Sequence, residues 1–154
     1  MKNINILFFP SIFILLCFHP LYSQYNSGGQ PISSLTSLNN DYQSVEMPHF
    51  DVEAMYDEDR MNISKPDVPF RYGKVFDVNF DLNNSGTWTT LQDGSRVWRL
   101  EINSQDAYSI NLFYDEFYMP EGGLLYLYNS DKSEMIGAFS NLNNTSDRYF
   151  STAP

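Results

Sequence analysis

Cysteine, histidine and basic side chains are scarce in this sequence, and each scarcity removes a class of chemistry. The single cysteine, Cys17, lies within the apolar amino-terminal run, so residues 24–154 hold neither a disulfide nor a thiolate. That excludes cysteine-ligated metal sites and a cysteine nucleophile there. Of two histidines, His19 belongs to the same leading segment and only His49 follows it. One histidine without cysteine makes no zinc set. Nine basic residues face nineteen acidic ones, for a formal net charge of −10. Such a surface repels a nucleic-acid backbone and disfavours anionic lipid, so neither a nucleic-acid partner nor, in the mature form, a membrane partner is expected. The acidity aids solubility and would attract a basic partner.

What is present begins with an export signal. Lys2 gives a positive start, residues 4–18 form an apolar run interrupted by Asn5, Pro10 and Ser11, and Leu21-Tyr22-Ser23 precedes Gln24. A small side chain at Ser23 suits signal peptidase, so residues 1–23 are expected to be removed between Ser23 and Gln24, and the protein to be secreted. The run is shorter than the roughly 20 apolar residues that span a bilayer. Residues 24–69 then form a polar leader (24–40) too hydrophilic to order itself, followed by an acidic linker. Within the linker Asp51 can cap a short helix reaching Met61, with Val52, Met55 and Tyr56 on one face.

From Phe70 the texture becomes dense aromatic alternation. Phe76, Val78, Phe80 and Leu82 alternate with Asp77, Asn79 and Asp81, the period of a half-buried strand. A second strand is expected over 87–91 and a third over 96–102, joined by Asp93-Gly94, whose residues accept the positive φ of a tight hairpin. Further strands are expected over 108–114, 124–128 and 135–139, and another from Tyr149. Evenly spaced short strands point to an all-β fold over 70–154, an antiparallel sandwich of jelly-roll or immunoglobulin-like kind with Trp88 and Trp98 between the sheets. The sequence stops at or before a strand, which suggests truncation of that domain.

No constellation of catalytic type emerges. His49 has no serine-hydrolase motif about it, and the glycine-bearing segments at 84–87 and 120–123 are turns. Asp57-Glu58-Asp59 lacks the alternating ligands and glycine of a calcium loop. Asp115 and Glu116 are adjacent, so on a strand they face opposite ways and do not converge on a glycosidic bond. Catalytic, metal and cofactor-binding residues are therefore assigned to no position. Phe113, Tyr118 and one side of 124–128 are either exposed ligand-binding aromatics or the inner face of a second sheet. Acceptor patterns for glycosylation at Asn62, Asn83, Asn143 and Asn144 are the kind that an Asn/Ser-rich chain produces by chance.

Several segments occur together in a fixed order: Phe70-Arg71-Tyr72-Gly73-Lys74, Phe76-Asp77-Val78-Asn79, Asn84-Ser85-Gly86-Thr87-Trp88, Asp93-Gly94-Ser95-Arg96-Val97-Trp98-Arg99-Leu100, Ser109-Ile110-Asn111-Leu112, Tyr118-Met119-Pro120-Glu121-Gly122 and Ile136-Gly137-Ala138-Phe139. This set, with Met47-Pro48-His49-Phe50-Asp51 upstream, resembles the amino-terminal non-catalytic region of secreted trypsin-like serine peptidases of the lysyl endopeptidase type, as found in Bacteroidetes-like bacteria. The resemblance implies a pro-region that assists folding of, or inhibits, a downstream serine peptidase domain carrying the catalytic histidine, aspartate and serine. None of those residues maps onto this chain, which is not expected to be an enzyme by itself. The alternative is a secreted β-sandwich module that binds glycan or protein.

Overall fold

The computed structural model describes residues 24–152; the expected signal peptide lies outside them. In chain order they form α1 (Ile32–Leu35), β1 (Ser44–Glu46), α2 (Val52–Asn62), β2 (Thr87–Thr90), β3 (Arg96–Arg99), β4 (Glu101–Asn103), β5 (Phe113–Tyr114), β6 (Leu125–Tyr128), β7 (Met135–Phe139), a single 3₁₀ turn (Asn141–Asn143) and β8 (Phe150–Ser151). The strands make four two-stranded pairs, β1–β4, β2–β3, β5–β8 and β6–β7. Three are antiparallel and β1–β4 is parallel. The chain is β-rich, as the alternation indicates, but the pairs remain separate and one runs against the expected all-antiparallel pattern.

The helix in the linker forms where expected. Asp51 stands at its N-cap and its carboxylate accepts from the Ala54 amide at 3.0 Å, satisfying one of the donors a helix start leaves open. The acidic run Asp57-Glu58-Asp59 is committed to ion pairs. Asp57 pairs with Arg60, and Glu58 and Asp59 both pair with Arg71.

The strand expected over 75–82 does not form. Residues 69–81 run without helix, ladder, turn or bend, and Val75, Val78 and Leu82 are exposed. The cause lies at the turn that follows. Asp81 Oδ1 accepts from the amides of Asn83 (2.6 Å) and Asn84 (2.9 Å), and Asn84 Oδ1 accepts from the Asp81 amide at 2.9 Å. This side-chain-closed loop is the competitor that aspartate and asparagine offer to a ladder. It engages the Asp81 amide and, through the Asn84 side-chain amide, the Asn79 carbonyl at 3.2 Å, so the end of 75–82 is turned into a loop.

The same loop explains the tryptophans. β2 and β3 place Trp88 opposite Trp98. The Trp88 indole donates to the Leu82 carbonyl at 2.9 Å and the Trp98 indole to the Ser85 carbonyl at 2.7 Å. Neither ring is sandwiched between sheets as expected: Trp88 is 41% exposed, with the Arg96 guanidinium 4.0 Å from its ring centre, and Trp98 is half-buried. With no second sheet above the hairpin, the loop 81–86 is what covers it. Gly86 is essential to that fit, because its φ is +74° and a Cβ there would meet the Trp98 ring at 2.4 Å.

The leader is not left loose. Between Leu125 and Tyr126 the β6–β7 register shifts: Leu125 pairs Phe139 and Tyr126 pairs Gly137, so Ala138 is an extra residue with no ladder partner. Its amide donates to the Gly28 carbonyl at 3.2 Å, and its carbonyl accepts from the Ser27 amide at 3.1 Å. The Tyr128 hydroxyl bonds Ser33 Oγ at 3.0 Å and Lys132 reaches the Ser33 carbonyl at 3.0 Å. Farther along, Arg99 donates to the Asn39 carbonyl at 2.8 Å, and Gln43 bonds the Gly86 and Glu101 amides at 2.6 and 3.0 Å. Backbone pairing, which hydropathy does not register, therefore holds a segment whose composition suggested mobility.

The one buried apolar cluster among the described residues is phenylalanine-built and lies late in the chain. Phe117, Phe139 and Phe150 are its centre, with Tyr114, Met119, Leu125, Leu127 and Ile136 around them. Phe117 and Phe150 stack at 4.4 Å between ring centres, and Phe139 meets Phe150 edge-on at 5.0 Å. Asn144 closes the cluster's rim, its side-chain amide donating to and accepting from the Met119 backbone at 2.8 Å each way. That is a ladder step made by a side chain.

Gly86→Ala and Gly94→Ala separate the two demands on glycine. Both positions have positive φ, but space around Gly94 is open. Strain alone should cost Gly94→Ala about 1 kcal/mol, whereas Gly86→Ala adds a clash with Trp98 and should cost about 2–4 kcal/mol. Urea unfolding followed by tryptophan fluorescence reads both, and equal losses would contradict the packing role of Gly86.

Candidate binding surface

β5 and β8 determine which aromatics are free. Phe113 pairs with Ser151 and Tyr114 with Phe150, so Tyr114 and Phe150 turn into the cluster while Phe113 turns out. Thr152 extends the pairing, donating its amide to the Leu112 carbonyl and accepting the Leu112 amide on its hydroxyl, both at 3.0 Å. Phe113 is 81% exposed and Tyr149 67%. With Tyr114, Phe150 and Ser151 they line an open cleft of about 200 Å³.

The turn before β8 shapes the rest of the face. Asp147 Oδ1 accepts from the Thr145 hydroxyl at 2.6 Å and from the Tyr149 amide at 3.2 Å. The Thr145 hydroxyl first, and then the Tyr149 amide, hold the Asp147 carboxyl below its ordinary pKa. The turn sets Arg148 at φ +58° and directs its guanidinium to Glu116 at 2.8 Å, with the Tyr118 ring centre 5.9 Å away. Tyr118 itself is 65% exposed. The cleft therefore presents two accessible aromatic rings, Phe113 and Tyr149, and the residue before Tyr149 carries the guanidinium that pairs with Glu116.

Of the residues singled out by sequence, Phe113 lines this cleft, and Tyr118 is exposed beside Arg148. The outward side of β6 does not remain free. The Tyr126 hydroxyl donates to the Gly28 carbonyl at 3.3 Å and Tyr128 is bonded to Ser33, so the leader occupies it. Tyr149 and Arg148 were not identified as surface groups. The signal for Tyr149 was its alternation with Phe150, whereas nothing in the sequence reports the left-handed backbone that aims Arg148. Asp115 and Glu116 are both exposed, and Glu116 is engaged by Arg148. Asn143 and Asn144, in the acceptor patterns, are tied into the fold: Asn143 Oδ1 accepts the Ser140 amide at 3.0 Å and Asn144 holds Met119.

His49 lines a separate open cavity of about 560 Å³ with Phe50, Asp51, Val52, Glu53, Asp106, Ala107 and Tyr108. No hydroxyl or thiol nucleophile of serine, threonine or cysteine is among those residues. Among the described residues no cluster of three or more histidine, cysteine or acidic side chains is arranged to hold a metal ion. No helix among them is long and apolar enough to cross a membrane.

Burial raises the Tyr114 hydroxyl from 10.0 to about 12. Because the folded value exceeds the unfolded one, the stabilisation is complete below pH 10 and is lost as pH rises through about 12. Tyr114→Phe removes the ionisable group and should flatten the fall in stability between those values, with little effect at pH 7. Denaturant midpoints measured across that interval in both proteins check this, and an unchanged alkaline profile would contradict it.

No family model matches this chain, and no solved structure gives a significant match to it.

Proposed function

We propose that this chain is the non-catalytic amino-terminal pro-region of a secreted serine endopeptidase, and that the Phe113–Tyr149 face is where the peptidase domain docks. The observation that supports this most is positional. The exposed cleft is built on β5 and β8, and β8 is the last strand of the described residues. A domain joined after Thr152 would be tethered beside Phe113 and Ser151, at the high effective concentration that a short connection provides. The ordered motifs from Phe70 to Phe139 supply the family side of the reading. The excess of acidic residues favours encounter with a basic partner surface.

The antiparallel sandwich belongs to the same proposal. Two-stranded pairs expose unpaired edges, which proteins ordinarily cover or pair. Docking of the peptidase domain along β5–β8 would supply the missing neighbour and complete a two-sheet arrangement. In that state the pro-region would order the peptidase as it folds and obstruct its substrate cleft until released.

A second reading, a secreted module that binds glycan, draws on the same cleft. A volume of about 200 Å³ between two exposed aromatic rings admits one sugar ring stacked on Phe113 or Tyr149.

Reading the coding DNA past codon 154 tests the first reading. An open frame entering a peptidase domain with a Gly-Asp-Ser-Gly-Gly-like segment is expected, and a stop codon directly after Pro154 would overturn it. Given that domain, residues 24–154 added in trans should inhibit it. Phe113→Ala with Tyr149→Ala should weaken inhibition at least tenfold, since aromatic anchors dominate such contacts. Retention on a polysaccharide column, lost with the same pair of substitutions and without any inhibition, would favour the glycan module instead.

A further inference from the structure

We propose that the Lys74–Val75 peptide bond is a processing site, cut by a serine endopeptidase that selects a basic residue on the acyl side of the scissile bond. The inference concerns this chain as a substrate and stands apart from the docking face.

Endopeptidases bind substrates as extended strands that pair by backbone hydrogen bonds with the cleft, so a folded protein is cut where several consecutive residues are both exposed and unpaired. Residues 72–75 meet that demand, being exposed and without a backbone hydrogen bond among the described residues. Between the Val68 amide, bonded to Lys65, and the Ser85 amide, bonded to Asp81, no backbone–backbone hydrogen bond forms. Tyr72 is 98% exposed and Val75 77%. Lys74 lies between them, and its ammonium has only a loose contact with the Phe76 ring, 6.0 Å from the centroid.

Other basic residues are withheld for identifiable reasons. Arg60 is inside α2, and Arg96 and Arg99 are inside β3. Lys65 precedes Pro66, which has no amide to donate and whose ring crowds the leaving side of a cleft. Arg71 is held by Glu58 and Asp59. Lys132 and Arg148 occupy turns with φ of 59° and 58°, a geometry a protease cleft does not accept. Among the described residues only Lys74 combines a basic side chain, an exposed backbone and an extended path.

The chemistry is hydrolysis without redox change. The enzyme's serine adds to the Lys74 carbonyl, the Val75 amine leaves with a proton, and water releases Lys74 as a carboxylate. The pieces would stay associated after the cut. β1 pairs with β4 across it, Ser27 and Gly28 remain bonded to Ala138, and Arg99 holds Asn39. The contact of Phe76 with Phe50, at 6.0 Å between ring centres, tethers the new amino-terminal segment near the break.

The purified secreted protein is treated with substoichiometric trypsin on ice and followed by intact mass. The first products should end at Lys74 and begin at Val75, coelute under native conditions and separate in denaturant. Lys74→Gln should slow the first cut at least tenfold without changing the melting temperature. Val75→Pro, which keeps the lysine exposed, should do the same. A first cut at any other basic residue, or unchanged kinetics in either variant, would overturn the site. Protein recovered from culture medium should include chains beginning at Val75, and an uncut population alone would overturn its use in processing.

Discussion

Ala138 has one residue's worth of backbone that β6 cannot pair, and much of the architecture follows from how that surplus is met. A buried amide and carbonyl without partners would each cost a few kcal/mol. Ala138 is 1% exposed, so water is not an option, and the Ser27 amide supplies the missing donor and the Gly28 carbonyl the missing acceptor. With those two residues fixed, Gly28 meets the Tyr126 hydroxyl and Ser33 meets Tyr128 and Lys132. The bulge thereby decides which face of β6 the leader covers, and Tyr126 and Tyr128 are engaged by it while Phe113 on β5 stays exposed.

The same demand recurs wherever strands are short. Two residues of β5 and β8 cannot satisfy their surroundings by ladder alone, so Thr152 and Asn144 finish the pairing with side-chain atoms. The Asp81–Asn84 loop does it for the tryptophan hairpin. A chain rich in Asn, Ser and Asp between brief aromatic runs is suited to this construction, since those side chains imitate peptide groups.

That construction also explains what could be read in advance. The helix behind Asp51, the Asp93-Gly94 hairpin and the strands at 124–128 and 135–139 follow from local rules, because cap, turn and alternation act within a few residues. Strand 75–82 carried an equally good alternation and did not form, and its end is instead closed into a loop by the side chains of Asp81 and Asn84. The parallel partnership of β1 with β4 joins residues far apart in the chain, and periodicity is silent on it. Phe113 and Tyr118 were visible as outward aromatics, whereas Arg148 depends on a left-handed backbone that composition does not encode. Trp88 and Trp98, the most conspicuous apolar residues, were natural choices for the core. The cluster instead chose Phe117, Phe139 and Phe150, whose elements converge where the hairpin's do not.

The bond between Ser27 and Ala138 spans 111 positions of sequence. In a chain that emerges amino terminus first, Ser27 is therefore made long before the residue it binds. It must wait for β6 and β7 to pair and create the bulge. Closing so long a loop is entropically slow, and until then Gly28 and its neighbours present bare backbone. Docking of the leader therefore depends on the register of the late hairpin, because the groups it binds are those the β6–β7 bulge leaves over.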